Sequence, residues 1–599
     1  MAIPLELSYY DNNIPCMAAC PVHTNAGAYV AAIAEGDDKT AYLTARMPNP
    51  FASVCGRVCA APCEDACRRG DVDQPIAIRA LKRFVTEQFG PESSPYKPPV
   101  VAMDRPERKE SIGIVGGGPA GLAAAHDLRM RGYQVTLYEA TSILGGMMVL
   151  GIPEYRLDRS LLQAEIDGIV GLGVDVQLET RLGSDVTFAE LRERHNGVLL
   201  ALGATLGRGL NIPGHEADGV LVAIEFLINA NQGFEVDVGE KVIVIGGGNV
   251  AMDAARTALR AAEYGQPAPA VEVVDIGEDL SEAVDVARTA VRAGAKDVTI
   301  IALESPAEMP AAGFEIEEAE IEGIAFRHRL GPHRIEVEDG VVTGLTTVEV
   351  LSVFDEKGRF APTFDLEIQE TMEADTVIIA IGQAIDLDAL GGDIGPAISP
   401  YRTIQTDPST FATSLPNVWA AGDAAFGPRN LIDAIAEGRK AASDIHRSFG
   451  GDEEAEQTGT MIPLRSFHRL DDLYDRTPRH DVPTLATDRR IGLAEVETGF
   501  TAAEARAEAS RCLRCFSNIQ LDVGSCVLCG LCVDVCPFDL ISIVPAVDFE
   551  LEEQGTALLL DESRCIRCAL CIERCPTRAL SMSTWSGVGA LPIKVEVHA

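Results

Sequence analysis

Eight cysteines near one end restrict this chain more than any other feature. Cys526, Cys529, Cys532 and Cys536 are spaced C-x2-C-x2-C-x3-C and followed by proline, and Cys565, Cys568, Cys571 and Cys575 repeat the run. Two such runs hold a pair of four-iron clusters, the fourth cysteine of each crossing to the other cluster. One set is then Cys526, Cys529, Cys532 and Cys575, and the other Cys565, Cys568, Cys571 and Cys536. Structural zinc is the competing reading. The whole chain carries 16 cysteines, all in short-spaced groups, and four times four suits four cubanes with no thiol left over. The other eight are Cys16, Cys20, Cys55, Cys59, Cys63 and Cys67 at one end, and Cys512 and Cys515 in "RCLRC" beside the tail. That last pair is two ligands short. Stray buried thiols, a zinc site, or partners supplied by a neighbouring protomer compete with a share in a cubane.

Composition excludes several classes. The net charge of -40 would repel nucleic-acid phosphates, so no nucleic-acid partner is expected. No apolar run of helix-spanning length occurs, so no transmembrane segment is expected. "MAIPLELSYYDNN" lacks a basic flank and an apolar stretch, so it is not read as a signal peptide. With so many unpaired-looking thiols, a reducing cytoplasmic location is expected.

The hydrophobic pattern divides 599 residues into a multidomain α/β protein. Residues 1–108 read as a helical iron–sulfur domain, with "TNAGAYVAAIAEG" and "DDKTAYLTARM" as capped helices. Strands alternating with helices follow, the signature of parallel sheets. The expected divisions are a FAD-binding part at 109–235, an NAD-binding domain at 236–372 and a second FAD-binding part at 373–450. A linker at 451–515 and a ferredoxin-like α+β domain at 516–599 complete the chain. "DAARTALRA" at 253 and "DVARTAVRA" at 285 read as two similar surface helices.

Two glycine turns carry the nucleotide chemistry. In "SIGIVGGGPAGLAAAHDLRMRGYQVTLYEA", Gly116 permits a tight turn, Gly118 lets backbone approach a pyrophosphate, and Gly121 lets helix pack on strand. The phosphates would meet the helix N-terminus, and Glu139 ends the second strand, where it can accept from a ribose hydroxyl. "KVIVIGGGNVAMDAARTALRA" repeats the device with Gly246, Gly248 and Ala251. Two sites imply one FAD and one exchangeable nicotinamide. No C-x4-C follows the first turn, so a redox disulfide beside the flavin is not expected. No acid–base constellation stands out, and hydride transfer needs ring alignment more than side-chain acids.

Taken together, "CGRVCAAPCEDAC", "GGGPAGL", "LGGMMVLGIPEYRLD", "GGGNVAMDAARTALR", "AEMPA" and "AAGDA" resemble the small subunit of glutamate synthase. They are also similar to parts of dihydropyrimidine dehydrogenase and of the large subunit of NADH-dependent ferredoxin:NADP oxidoreductase, over roughly residues 15–447. The tail resembles a bacterial eight-iron ferredoxin. The resemblance implies flavin contacts from Gly146, Met147 and Arg156, although Arg156 is equally an ordinary pairing arginine, and from Gly422 and Asp423. It also implies that Cys512 and Cys515 fold back to share a cluster with Cys16 and Cys67. A second cluster would use Cys20, Cys59 and Cys63. Its fourth ligand falls at Lys82 by the family pattern, and because an ammonium is a poor ligand Cys55 is the choice here.

One departure bears on the nicotinamide. Relatives that use NADPH carry arginines ahead of the "AEMPA" segment, whereas this chain has Leu303 and Glu304. A carboxylate suits free ribose hydroxyls and repels a 2′-phosphate, so NAD(H) is expected over NADP(H). In an alternative register, Asp275 or Glu278 takes the place of Glu304. The reading is an electron-transfer flavoprotein subunit with FAD and four [4Fe-4S] clusters. It would exchange electrons between NAD(H) and a partner within a hetero-oligomer, either a catalytic oxidoreductase subunit (for instance a 2-oxoacid oxidoreductase) or ferredoxin. An NADPH-dependent glutamate synthase small subunit and a stand-alone flavin reductase of a small molecule are the rivals.

Overall fold

The computed structural model describes residues 12–599 apart from 94–99, 102–106, 235, 237, 262–294, 391–394, 452–459, 464–475, 491, 546–554, 587–594 and 597–599. Asp275, Glu278 and the second "ARTA" segment therefore lie outside the described residues.

Helices form the first domain where the sequence has capped, alanine-rich runs. Asn25 accepts from the backbone of Ala28 to start Ala26–Glu35, and Gly36 ends it in the left-handed region. Asp37 accepts from Thr40 to start Asp38–Arg46. Each such cap contributes about 1 kcal/mol. Ala52–Val58 and Ile78–Phe89 pack closely at Gly56, where a Cβ would stand 3.0 Å from the Arg83 Cα. The core of this domain is not complete without the far end of the chain. Phe500, Ala505 and Ala509 are buried among Tyr29, Ile33 and Leu81. Helix Ala502–Ser510, begun by a Thr501–Glu504 capping box, supplies two of them.

Two parallel five-stranded sheets follow. The first is ordered Val418–Ala420, Gly197–Leu200, Ser111–Val115, Gln134–Tyr138, Asp175–Gln177. Its strands come from two separated stretches, so this domain is discontinuous. The second is ordered Ala325–His328, Asp297–Ala302, Lys241–Ile245, Thr376–Ile379, Val220–Val222. Here the expected divisions need correction. Thr376–Ile379 and Val220–Val222, assigned by sequence to the FAD-binding parts, pair in the second sheet. "TVII" is buried on both faces, so any parallel sheet could take it, and the choice is made by tertiary pairing.

An antiparallel meander, Leu330–Glu338, Val341–Phe354 and Phe360–Glu373, is inserted before Thr376. The tail forms a sheet of Thr460–Pro463, Leu580–Ser586 and Ser517–Leu521, and a second ribbon of Ile541–Pro545 and Thr556–Leu560. One strand of the tail sheet thus comes from the expected linker. Among the described residues, no helix is long and apolar enough to cross a membrane.

Candidate functional site

At the first glycine turn the strand Ser111–Val115 ends and helix Pro119–Met130 begins. Gly116 has φ +108°, and a Cβ there would lie 2.2 Å from the Ala201 carbonyl oxygen. A Cβ at Gly121 would lie 2.0 Å from the Gly116 oxygen. Glu139 completes the turn: its Oε2 accepts from Gly117 N–H at 2.8 Å, while Oε1 accepts from Thr141 N–H and Oγ1 at 2.8 and 2.9 Å. Beside this turn lies a cavity of about 410 Å³, lined by Gly116, Gly118, Glu139, Gly146, Met147 and Asp423, with Gly422 adjoining. Gly146 has φ +52°, and its Cβ would stand 2.9 Å from the Gly118 Cα, so the two loops close on each other. Burial pushes the Asp423 carboxyl up to about 6, and its Oδ1 accepts from Arg429 N–H at 3.3 Å. A cavity with a helix N-terminus at one wall and a carboxylate at another fits FAD. When bound, a flavin accepts a hydride and releases single electrons.

The second turn reproduces the first. Gly246 has φ +143°, with its Cβ position 2.3 Å from the Ala380 carbonyl oxygen, and Ala251 is fully buried in the following helix. The turn is held by the "AEMPA" segment, Ala311 N–H donating to the Gly247 carbonyl and Ala312 N–H to Asn249 Oδ1. Strand Asp297–Ala302 pairs in parallel with Lys241–Ile245 and delivers Glu304 to the glycine turn. A Cβ on Gly247 would stand 2.9 Å from Glu304 Oε2, as a Cβ on Gly117 would stand 3.0 Å from Glu139 Oε2. The two carboxylates hold equivalent positions. Gly248 has open space around it.

Arg156, for which the sequence leaves flavin contact and ordinary ion pairing both open, is placed by its partners. It is not among the residues lining the cavity. Its Nη1 donates to Asp253 at 2.6 Å and its Nη2 to Glu315, both in the NAD-binding domain. Arg256 bonds Glu315 and Glu322, Arg260 bonds Glu322, and Arg490 of the returning segment bonds Glu318. Arg156 is a link in a buried ion network. Sequence could not show this because its partners lie 97 and 159 residues away.

The cysteines gather into groups. Cys16, Cys67, Cys512 and Cys515 line a single cavity with Arg68 on its wall. Burial pushes the Cys16 thiol up, and the facing Cys515, Cys512 and Cys67 push it further. Burial likewise takes Cys512 to about 12. Gathered in one cavity, these thiols would repel one another once ionised, and a metal both removes such protons and supplies the opposing charge. Nearby, Cys55 donates to Cys59, lowering the Cys59 thiol to about 6, and Cys63 faces Cys59 and Cys20. Lys82 is buried against Cys55, Cys20, Cys59 and Cys63. Burial opposes its charge, but the thiols outweigh burial and raise it. Glu165 ties the helix bearing Cys55 to the flavin domain, accepting from Ser53 and Val54 N–H at 2.9 and 3.2 Å.

In the tail, Cys571 faces Cys565, Cys568 and Cys536, and burial pushes it up to about 12. Cys532 faces Cys529 and Cys526, and Cys575 packs on the same small core. Among the described residues, no three of His, Cys, Asp and Glu converge as a single ion would require. A cubane spreads four thiolates over four irons, so a shared cavity is the relevant geometry. The set of Cys16, Cys67, Cys512 and Cys515, which lines one cavity, fits a four-iron cluster. Sequence reading missed Arg68 and Arg567, although each adjoins cysteine in "CRRGD" and "CIRC".

Two dinucleotide-binding sheets joined to cysteine-rich modules at both ends define a flavoprotein with an iron–sulfur relay. The model of dihydropyrimidine dehydrogenase domain II, 4Fe-4S cluster, matches residues 10–93, and that of the 4Fe-4S dicluster domain matches 525–579. Residues 110–438 match the pyridine nucleotide-disulphide oxidoreductase model, and the chain belongs to that family. It is an NAD(P)H-dependent FAD/iron–sulfur oxidoreductase subunit that transfers electrons. The NADP(+)-dependent formate dehydrogenase subunit beta of Moorella thermoacetica is 34% identical over 86% of this chain and 72% of its own length. The NADPH-Fe(3+) oxidoreductase subunit beta of Geobacter sulfurreducens is 34% identical, covering 84% and 75%. The NAD-dependent dihydropyrimidine dehydrogenase subunit PreT of Escherichia coli is 32% identical, covering 74% and 92%.

Proposed function

We propose that the chain exchanges electrons between NAD(H) and a catalytic partner subunit through FAD and four [4Fe-4S] clusters in series. The observation that carries this is that the cysteines fall into successive packed cores. Cys20, Cys55 and Cys59 belong to the core of the flavin domain, together with Met148, whose neighbour Met147 lines the cavity. Cys16, Cys63, Cys67 and Cys512 belong to the next. Leu513 and Ile566 join Cys515 to Cys568, and Cys571 with Cys532, Cys536 and Cys575 forms the last. The order supported is flavin, the Cys20–Cys55–Cys59–Cys63 set, the Cys16–Cys67–Cys512–Cys515 set, the Cys565 set, then the Cys526 set. Exposed Cys529, flanked by exposed Val527 and Leu528, marks the outer end.

Gly116, Gly118 and Gly121 bring backbone to the flavin pyrophosphate, Glu139 accepts from its ribose, and Asp423 faces its phosphate or ribityl end. Gly146 and Met147 close over the ring side. Gly246, Gly248, Ala251 and Glu304 hold the nicotinamide dinucleotide. NAD(H) is the preferred form because Glu304 occupies the position matching Glu139. Arg329, whose N–H donates to the Glu304 carbonyl, has its guanidinium on Glu308 at 2.7 Å. Two of the relatives above bear NADP in their names, so the preference is the sharper claim. Steady-state reduction of an artificial acceptor with NADH and with NADPH tests it, and a higher kcat/KM with NADPH refutes it. The relatives' names are those of subunits, which supports a hetero-oligomer whose partner performs the substrate chemistry, such as a 2-oxoacid oxidoreductase. Affinity purification from the native host under anaerobic conditions should bring down that subunit.

A further inference from the structure

The seam between the two ends of the chain holds an unusual charge. Arg68 is 7% and Arg567 1% exposed, and Glu562, 5% exposed, is their buried carboxylate. Arg567 Nη1 donates to Glu562 Oε1 at 2.8 Å, which also accepts from Ile519 N–H at 2.8 Å. Asn13 bridges the seam, its Nδ2 donating to Glu562 Oε2 at 2.8 Å and its Oδ1 accepting from Arg68 Nη2 at 2.7 Å. Arg68 Nη1 donates to the Cys565 carbonyl at 3.3 Å while Arg68 itself lines the cavity of Cys16, Cys67, Cys512 and Cys515. Arg567 faces the sulfurs of Cys565 and Cys515. Arg68 Nε and Arg567 Nε and Nη2 are buried with no hydrogen-bond partner in the protein.

Two buried guanidiniums share one buried carboxylate, with exposed Asp561 also facing Arg68; Arg567 turns toward the Cys565 sulfur, and Arg68 Nε has no acceptor in the protein. Both conditions are unfavourable in a protein interior unless an anion lies alongside. A four-iron cluster ligated by four thiolates is such an anion, and its sulfurs accept hydrogen bonds. Donors and charge near a cluster raise its reduction potential.

We propose that Arg68 and Arg567 are positioning residues of the electron junction between the Cys16–Cys67–Cys512–Cys515 set and the Cys565–Cys568–Cys571–Cys536 set, and that their charge raises the potentials of both. With clusters bound, one electron passing across the junction would oxidise the first cluster by one and reduce the second by one. No proton moves, because both arginines stay charged. The proposal rests on the four-cluster reading above.

The test is an anaerobic redox titration of the full reconstituted chain followed by electron paramagnetic resonance, with iron and flavin assayed on the same samples. In Arg567→Gln two of the four midpoints should fall. At the parent's midpoint each should show about a tenfold lower ratio of reduced to oxidised cluster, equivalent to about 59 mV for one electron. Arg567→Lys, which keeps the charge, should titrate close to the parent. A parent-like titration of Arg567→Gln, a shift of all four midpoints together, or a Lys variant displaced as far as the Gln variant overturns the proposal. Should Arg567→Gln lose iron, Arg68→Gln carries the same test with the same outcomes. A parent chain holding FAD but far below about sixteen iron would instead overturn the four-cluster reading.

Discussion

Replacing Arg156 by methionine removes a charge while keeping most of the side-chain volume, and it separates the two roles open to this residue. Its partners Asp253 and Glu315 are buried, with side chains 9% and 2% exposed. Deleting one member of a buried pair leaves an uncompensated charge and costs about 3–5 kcal/mol. Arg256 still bonds Glu315 at 3.3 Å, so the lower end, about 3 kcal/mol, is the expected loss in stability of the NAD-binding domain. Burial already holds the Glu315 carboxyl above its ordinary value of 4.5, with Arg156 pulling it down. Without Arg156 it rises further. A carboxyl raised in the folded state favours folding only while protonated, so the deficit of the variant should widen as pH rises through the parent's own raised value, which lies above 4.5, and be smallest at pH below 4.5. Urea series read by pulse proteolysis at several pH values measure this. A cycle with Glu315→Gln should give a coupling energy of at least about 1 kcal/mol. The reasoning is refuted if the two substitutions add within about 0.5 kcal/mol, or if Arg156→Met releases FAD while leaving the NAD-binding domain as stable as before.

Other outcomes follow from the same geometry. Cys512→Ser with Cys515→Ser should lower iron by about four per chain and leave the two tail signals in place; loss of a tail signal alone would contradict the shared cavity. Glu304→Arg should raise kcat/KM for NADPH relative to NADH by about tenfold or more, the scale of one charge-assisted contact at about 1.5 kcal/mol. Asp423 has its carboxyl raised to about 6 by burial. Stability of the flavin-free protein should therefore fall as pH rises from about 4 to 6, and Asp423→Asn should flatten that slope in thermal melts.

Short-range signals made much of the architecture legible. Whereas Glu139 and Glu304 reach the glycine turns from a following strand, the turns themselves each lie within one strand–turn–helix, so their spacing reports their geometry. Helix caps at Asn25 and Asp37 are equally local. What escaped depends on pairing over long distances. The assignment of Thr376–Ile379 to the second sheet is decided by Lys241–Ile245 and Val220–Val222, and nothing in "TVII" prefers one sheet over another. Arg156 lies in a stretch shared with flavin-binding relatives, yet carboxylates on two distant helices claim it. The meander at 330–373 was missed because its last strand is largely exposed and gives little apolar alternation.

The core of the first domain closes over Phe500, Ala505 and Ala509, and Arg69 donates to the Arg511 carbonyl 442 residues away. During synthesis, at roughly 5–20 residues per second, the opening helices must wait some 20–90 s before the segment that completes them is made. Throughout that interval six cysteines stand in an unfinished domain. Closure of that core therefore waits for residues 500–511, and the two ends of the cysteine cavity come together only after the sheets between them have been made.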